Sequence, residues 1–146
     1  MRTTNQVAIY CAFKENGRNF YMLAKRIPER GGFWQAFTGG EEYFDNGDLL
    51  NTIIREIKEE LGIKIKKEEI IKLEYSFSFK DKEGIVRNEE CFGVLLSPEN
   101  KQKISLSSEH DALIYSSDEN YIKSMLKFEE NKIAFEKFVR LLLITK

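Results

Sequence analysis

Apolar positions along the chain change period several times. Residues 7–13 form an unbroken apolar run and 19–25 a second, separated by Glu-Asn-Gly-Arg. The pair predicts a β-hairpin turning at Asn16-Gly17. A loop is expected over 28–32, a short aromatic strand over 33–38 and a second loop over 39–47. From Asp48 to Gly62 the period becomes helical: Leu50, Ile53, Ile57 and Leu61 gather on one side, with Asp48 placed to cap the start and Gly62 to end it. Alternation returns over 70–79, where Leu73, Tyr75, Phe77 and Phe79 share one side and the stripe Tyr75, Phe77 and Phe79 is expected in the core. A turn at 81–84 leads to a strand over 89–96, a short strand over 112–115, and helices over 120–128 and 131–144. There is no repeat, low-complexity tract or linker. Mixed strands with few helices imply an α/β protein, a sheet covered on both faces, in one domain over 1–146.

The helix over 48–62 has an unusual polar side. At about 100° per residue, Glu56, Glu59 and Glu60 fall within an arc of roughly 100°. Like charges three and four residues apart on a helix repel, so the cluster calls for a compensating cation. Carboxylate oxygens suit the hard ions Mg²⁺ or Mn²⁺. A solvated acidic face is the plainer alternative.

Composition narrows the setting. The chain is 42% hydrophobic and 32% charged, with a net charge of −1. That charge offers no bulk attraction for a nucleic-acid polymer or an anionic membrane. Lys64, Lys66 and Lys67 alternate with or adjoin apolar and acidic residues and read as a solvated loop. No apolar run approaches a membrane span, and no signal-peptide core is read at the N-terminus. Cys11 and Cys91 sit in apolar strand-like runs and are expected as buried thiols, which fits a cytoplasmic protein. No Cys/His spacing suits zinc. A Ser-His-Asp triad would have to run through His110, the sole histidine, and Asp111 is too close in sequence to orient it.

Arg55-Glu56-Ile57-x-Glu59-Glu60-x-Gly62-Ile63 resembles the second half of the Nudix hydrolase signature at every position. The first half of that signature, a Gly, five residues, a Glu and seven residues before the Arg, departs from it. Counting back from Arg55, the leading Glu falls on Gly47 and the leading Gly on Glu41. Gly39-Gly40 and Asp48 are read as the displaced counterparts, with a two-residue insertion around Tyr43-Phe44 and a one-residue shortening before the helix. The segment Phe33-Trp34-Gln35-Ala36-Phe37-Thr38-Gly39, the run Arg87-Asn88-Glu89-Glu90, Ser108-Glu109-His110, and Asn131-x-x-Ala134-x-Glu136-x-Phe138 are similar to bacterial dihydroneopterin triphosphate diphosphatases, also described as dATP pyrophosphohydrolases.

The resemblance implies an α/β/α Nudix sandwich with a mixed β-sheet. It further implies a Mg²⁺-dependent (Mn²⁺ as alternative) pyrophosphohydrolase acting on a small-molecule nucleotide, as a monomer or homodimer. The implied metal ligands are Glu56, Glu59, Glu60, Glu109 and the Gly39 backbone carbonyl. Arg55 would orient a carboxylate of the box by ion pairing, and Glu56 or Glu109 would serve as base. The implied substrate contacts are Lys25, Arg26, Trp34, Gln35 and Thr38. For Lys25-Arg26 the alternative is a solvent-facing strand end, and for Trp34 it is core packing. The rival from another class is a non-catalytic nucleotide-sensing domain of the same fold.

Overall fold

The structure, a computed structural model, describes residues 2–144. Met1, Thr145 and Lys146 of the domain expected over 1–146 lie outside the described residues. The long first strand organises everything else. Strand β1 (Arg2–Glu15) turns at Asn16 and Gly17, with φ of 52° and 76°, into β2 (Arg18–Arg26). Two consecutive left-handed residues give the twist that a two-residue hairpin needs. The unbroken apolar run of β1 is explained by its position: β6 (Val86–Leu96) pairs parallel along residues 5–13, while the other edge is shared between β2 and β4 (Phe37–Glu42). Such a central strand is buried on both faces, so its sequence does not alternate.

The remaining strands are antiparallel additions. β3 (Trp34–Gln35) and β7 (His110–Ser116) pair with β2, and β5 (Ile70–Lys80) pairs with β6. The result is a seven-stranded mixed sheet. Helix α1 (Leu49–Leu61) covers one face, where Ile53, Ile57 and Leu61 meet Val7, Ile9 and Phe92. Helices α3 (Glu119–Met125) and α4 (Glu129–Ile144) cover the other, where Phe135 and Phe138 meet Tyr10 and Tyr21. A short α2 (Pro98–Gln102) follows β6. This is the α/β/α arrangement expected. Cys11 and Cys91 are buried free thiols, one in each core layer. Among the described residues no helix is long and apolar enough to cross a membrane.

Three local differences matter for the site. The loop expected over 39–47 begins later, because Gly39 and Gly40 belong to β4 and pair with Val7 and Gln6. Strand pairing thus overrides the poor intrinsic strand preference of glycine. The stripe Tyr75, Phe77 and Phe79 was expected in the core, yet all three are only half-buried. Tyr75 and Phe77 pack against the α4 layer, and Phe79 lines a cleft. Glu74, at φ 55°, marks a bulge in β5 that shifts its register against β6 between Lys72 and Ser76.

Candidate functional site

Helix α1 sets the site. Asp48 Oδ1 accepts from the Leu50 N–H at 2.9 Å, which satisfies an otherwise unpaired donor of the first turn. Gly62, with φ 70°, closes the last turn. With both ends fixed, Glu56 and Glu60 lie one turn apart and both are buried, beside the core stripe, while Glu59 points outward.

Arg55 ties this helix to β4. Its Nε and Nη2 donate to Asp45 Oδ1 and Oδ2 at 3.2 and 2.9 Å, Nη2 also donates to the Gly40 carbonyl at 2.8 Å, and Nη1 donates to Glu56 Oε1 at 2.9 Å. Asp45 is 3% exposed and accepts in addition from Thr52 Oγ1 and the Glu42 N–H. Burial alone would raise its pKa, but these hydrogen bonds, Arg55's first, hold it below the usual carboxylate range.

Asp45 corrects the reading of the box. It stands six residues after Gly39, so the Gly-x₅-acid spacing is present with Asp in place of Glu, and the two extra residues lie between that acid and Arg55. They are accommodated where Asn46 and Gly47 take consecutive left-handed conformations, φ 59° and 72°, on the surface. Asp48 is a helix cap with a surface ion pair to Lys67, not the displaced acid. Counting forward from Gly39 instead of back from Arg55 would have found Asp45.

Gly39 is required by contact. A Cβ built there would lie 2.1 Å from Glu56 Cδ, so the strand backbone and this carboxylate occupy adjoining space that no side chain can share. Burial, with Glu59 and Glu60 nearby, pushes the Glu56 carboxyl up to about 7 against the opposing pull of Arg55. Glu60 is held differently: Ser107 Oγ donates to its Oε2 at 2.9 Å, and His110 Nδ1 lies 2.9 Å from the same oxygen, off the ring N–H axis. Burial opposes ionisation of Glu60, yet His110 and Ser107 keep its pKa lowered. Backbone bonds from Ser105 and Ser107 to Leu61 and Glu60 fasten the segment before β7 to the end of α1. That fastening brings Glu109 to the same cleft, where it pairs with Arg30 at 3.3 Å.

Glu56, Glu59, Glu60 and Glu109 therefore line one cleft of about 680 Å³, together with Arg26, Arg30, Thr38 and Gly39. Among the described residues no three acidic, His or Cys side chains already converge on a single point. The reason is visible in the pairings: Arg55 holds Glu56, His110 faces Glu60, and Arg30 holds Glu109. The donors are all oxygen, and two of them are buried and close along one helix. Such a set fits a hard divalent cation.

A second cleft, of about 440 Å³, adjoins the first and shares Gln6, Arg26, Thr38 and Phe79 with it. Phe33, Phe77 and Phe128 line it, with Gln35 and Glu89 among the polar groups. Arg26 stands between the two, and its buried Nε has no hydrogen-bond partner among the described residues. Gln35 Nε2 donates to Thr38 Oγ1 at 3.4 Å.

Two expected contacts are placed elsewhere. Trp34 packs into the α3/α4 layer, and neither it nor Lys25 lines either cleft. Successive residues of a strand face opposite ways, so Lys25 and Arg26 cannot serve the same pocket, and Gln35 and Trp34 are divided likewise. Arg30, Asp45 and Ser107 were not singled out by the sequence, and Glu89 entered only within the Arg87-Asn88-Glu89-Glu90 run, with no role attached. Only Asp45 carried a spacing signal.

A family model described as NUDIX domain matches residues 3–136. A Caenorhabditis elegans Ap4A hydrolase binary complex aligns with TM-score 0.76 and 20% identity, covering 97% of this chain and 98% of that one. The E. coli dihydroneopterin triphosphate pyrophosphohydrolase aligns with TM-score 0.75 and 21% identity, covering 96% and 97%. A Myxococcus xanthus octanoyltransferase is 33% identical over 94 residues, 62% of this chain and 24% of that protein. The chain thus spans about a quarter of the length of this curated relative.

Proposed function

Because the chain belongs to the Nudix family, we propose that it is a Nudix hydrolase acting on phosphoanhydride bonds. Its substrate is a nucleoside triphosphate or a related nucleotide, of the dATP or dihydroneopterin triphosphate kind, and the products are the monophosphate and pyrophosphate. One observation carries this reading: the acidic cleft of α1 adjoins an aromatic cleft, and Arg26, whose buried Nε has no hydrogen-bond partner among the described residues, lines both. A flat ring in the second cleft would lay its phosphate chain past Arg26 towards the carboxylates. Their volumes fall within the roughly 300–1,000 Å³ usual for small-molecule sites.

Glu56 and Glu60, with Glu59, Glu109 and the Gly39 carbonyl, would hold Mg²⁺ or Mn²⁺. When bound, the ion neutralises phosphate charge and lowers the pKa of a coordinated water. Arg55, locked by Asp45, fixes Glu56 through Oε1 and leaves Oε2 for the cleft. Glu56 faces the cleft and is one candidate base for the attacking water. Glu109 is the other candidate base, and comparing Glu56→Gln with Glu109→Gln separates them. Arg26 and Arg30 supply positive charge to the phosphate chain.

The test is turnover of dATP, dihydroneopterin triphosphate, ADP-ribose and diadenosine tetraphosphate at equal concentration, with and without Mg²⁺. Metal-dependent hydrolysis favouring at least one of the two triphosphates over ADP-ribose and diadenosine tetraphosphate is expected. A tenfold kcat/KM preference for either of the others, about 1.4 kcal/mol in the wrong direction, refutes the triphosphate assignment. Binding without turnover of any of them favours the nucleotide-sensing alternative.

A further inference from the structure

Glu89 is an unusual residue to find in an aromatic cleft. It lies on β6, is 5% exposed, and faces the same cleft as Phe77, Phe79 and Gln35. Among the described residues no cation pairs with it. Its one partner is the neutral amide of Gln6, whose Nε2 donates to Oε1. Burial, opposed by the Gln6 hydrogen bond and aided by the acid Glu130 on the cleft rim, raises its pKa. A buried carboxylate without a counter-charge is costly to the fold. Nothing in the packing of β6 requires one here, since the next residue inward on this face is the small apolar Cys91.

We propose that Glu89 reads the ring of the substrate and selects one that presents two adjacent hydrogen-bond donors, a ring N–H beside an exocyclic amino group. This rests on the nucleotide-hydrolase reading above and narrows it to rings of the guanine and pterin type. The physical argument is one of complementarity. An ionised carboxylate only accepts, through two oxygens in a planar fork. A guanine or pterin edge offers a parallel pair of N–H groups to that fork. Adenine offers one donor next to a ring nitrogen that is itself an acceptor, so one carboxylate oxygen would face a lone pair. A site whose buried polar group is left unpaired rejects the ligand strongly. An amide carries one donor and one acceptor, the pattern that matches adenine. Phe77 and Phe79 give the ring faces to stack on, which any heterocycle can use. They therefore supply affinity, and Glu89 supplies the choice.

The ring edge can be tested without hydrolysis, by calorimetric titration of the whole protein with GMP, neopterin and AMP. GMP or neopterin is expected to bind at least tenfold tighter than AMP. In Glu89→Gln that ratio should fall towards one. AMP binding as tightly as both others in the wild type overturns the proposal, and this comparison needs no variant. A Glu89→Gln protein, folded by circular dichroism, that weakens all three ligands by the same factor also overturns it, because the residue would then be structural. Turnover of dGTP, dihydroneopterin triphosphate and dATP with Mg²⁺ is measured in parallel. Ring discrimination without any turnover sinks the hydrolase reading and supports the role of Glu89. Turnover indifferent to the ring does the reverse.

Discussion

Replacing Asp45 with Asn tests the central correction, that this residue and not Asp48 is the acid that locks the box arginine. The change keeps shape but removes charge, and it turns an amide N–H₂ towards the donors of Arg55 or of Thr52 and Glu42, whichever way the amide settles. Asp45 is 3% exposed and receives four hydrogen bonds, two from Arg55. Removing one member of a buried ion pair costs about 3–5 kcal/mol. Arg55 would still donate to the Gly40 carbonyl and to Glu56, so about 2–3 kcal/mol is expected for Asp45→Asn. Urea unfolding at pH 7 should show a lower midpoint with an unchanged slope, and kcat should fall at least tenfold as Glu56 loses its anchored partner. The pH dependence gives an independent check. The folded-state pKa of Asp45 is depressed, so its contribution is fully present above the unfolded value of about 3.9 and is lost as pH falls through the folded value. The gap between wild type and Asp45→Asn should therefore close on the acid side of about pH 4. A gap under about 0.5 kcal/mol at pH 7, within the range of ordinary surface changes, would refute the reasoning.

Glu60→Gln keeps size but removes a charged ligand, and kcat with Mg²⁺ should drop by orders of magnitude while circular dichroism stays native; near-normal turnover would show the metal assignment wrong. Gly39→Ala should leave the fold intact, because the atoms in its way are the movable end of Glu56, yet it should abolish most activity by displacing that carboxylate. Retained activity there would mean Glu56 has no fixed role. Asp48→Ala should lower the unfolding midpoint slightly and Asp48→Asn hardly at all, both with kcat unchanged, since the side chain caps α1 and meets only Lys67 besides. A large kcat loss in Asp48→Asn at unchanged stability would return it to the active site.

What the sequence determined by itself was everything carried by short-range physics. The Asn16-Gly17 hairpin, the capped amphipathic helix from Asp48 to Gly62, and the strand alternation over 70–79 all follow from backbone preference and period, and each stands in the structure. The carboxylate arc of Glu56, Glu59 and Glu60 was legible for the same reason, since helical spacing alone puts them together. Tertiary structure decided what depends on distant segments meeting. Glycines 39 and 40 read as loop but are strand, because β1 pairs with them. Trp34 and Lys25 read as ligand contacts, yet the pleat turns them away from the clefts while Arg26 and Gln35 face them. Arg30 carries no local signal, and Glu89 only its place in the Arg87-Asn88-Glu89-Glu90 run, which assigns it no role. They gain significance because the chain leaves one carboxylate without a cation inside an aromatic cleft and sets one arginine beside Glu109. Period and propensity describe a residue's neighbours within a few positions, whereas the chemistry of a cleft is set by which side chains the sheet brings together from opposite ends of the chain.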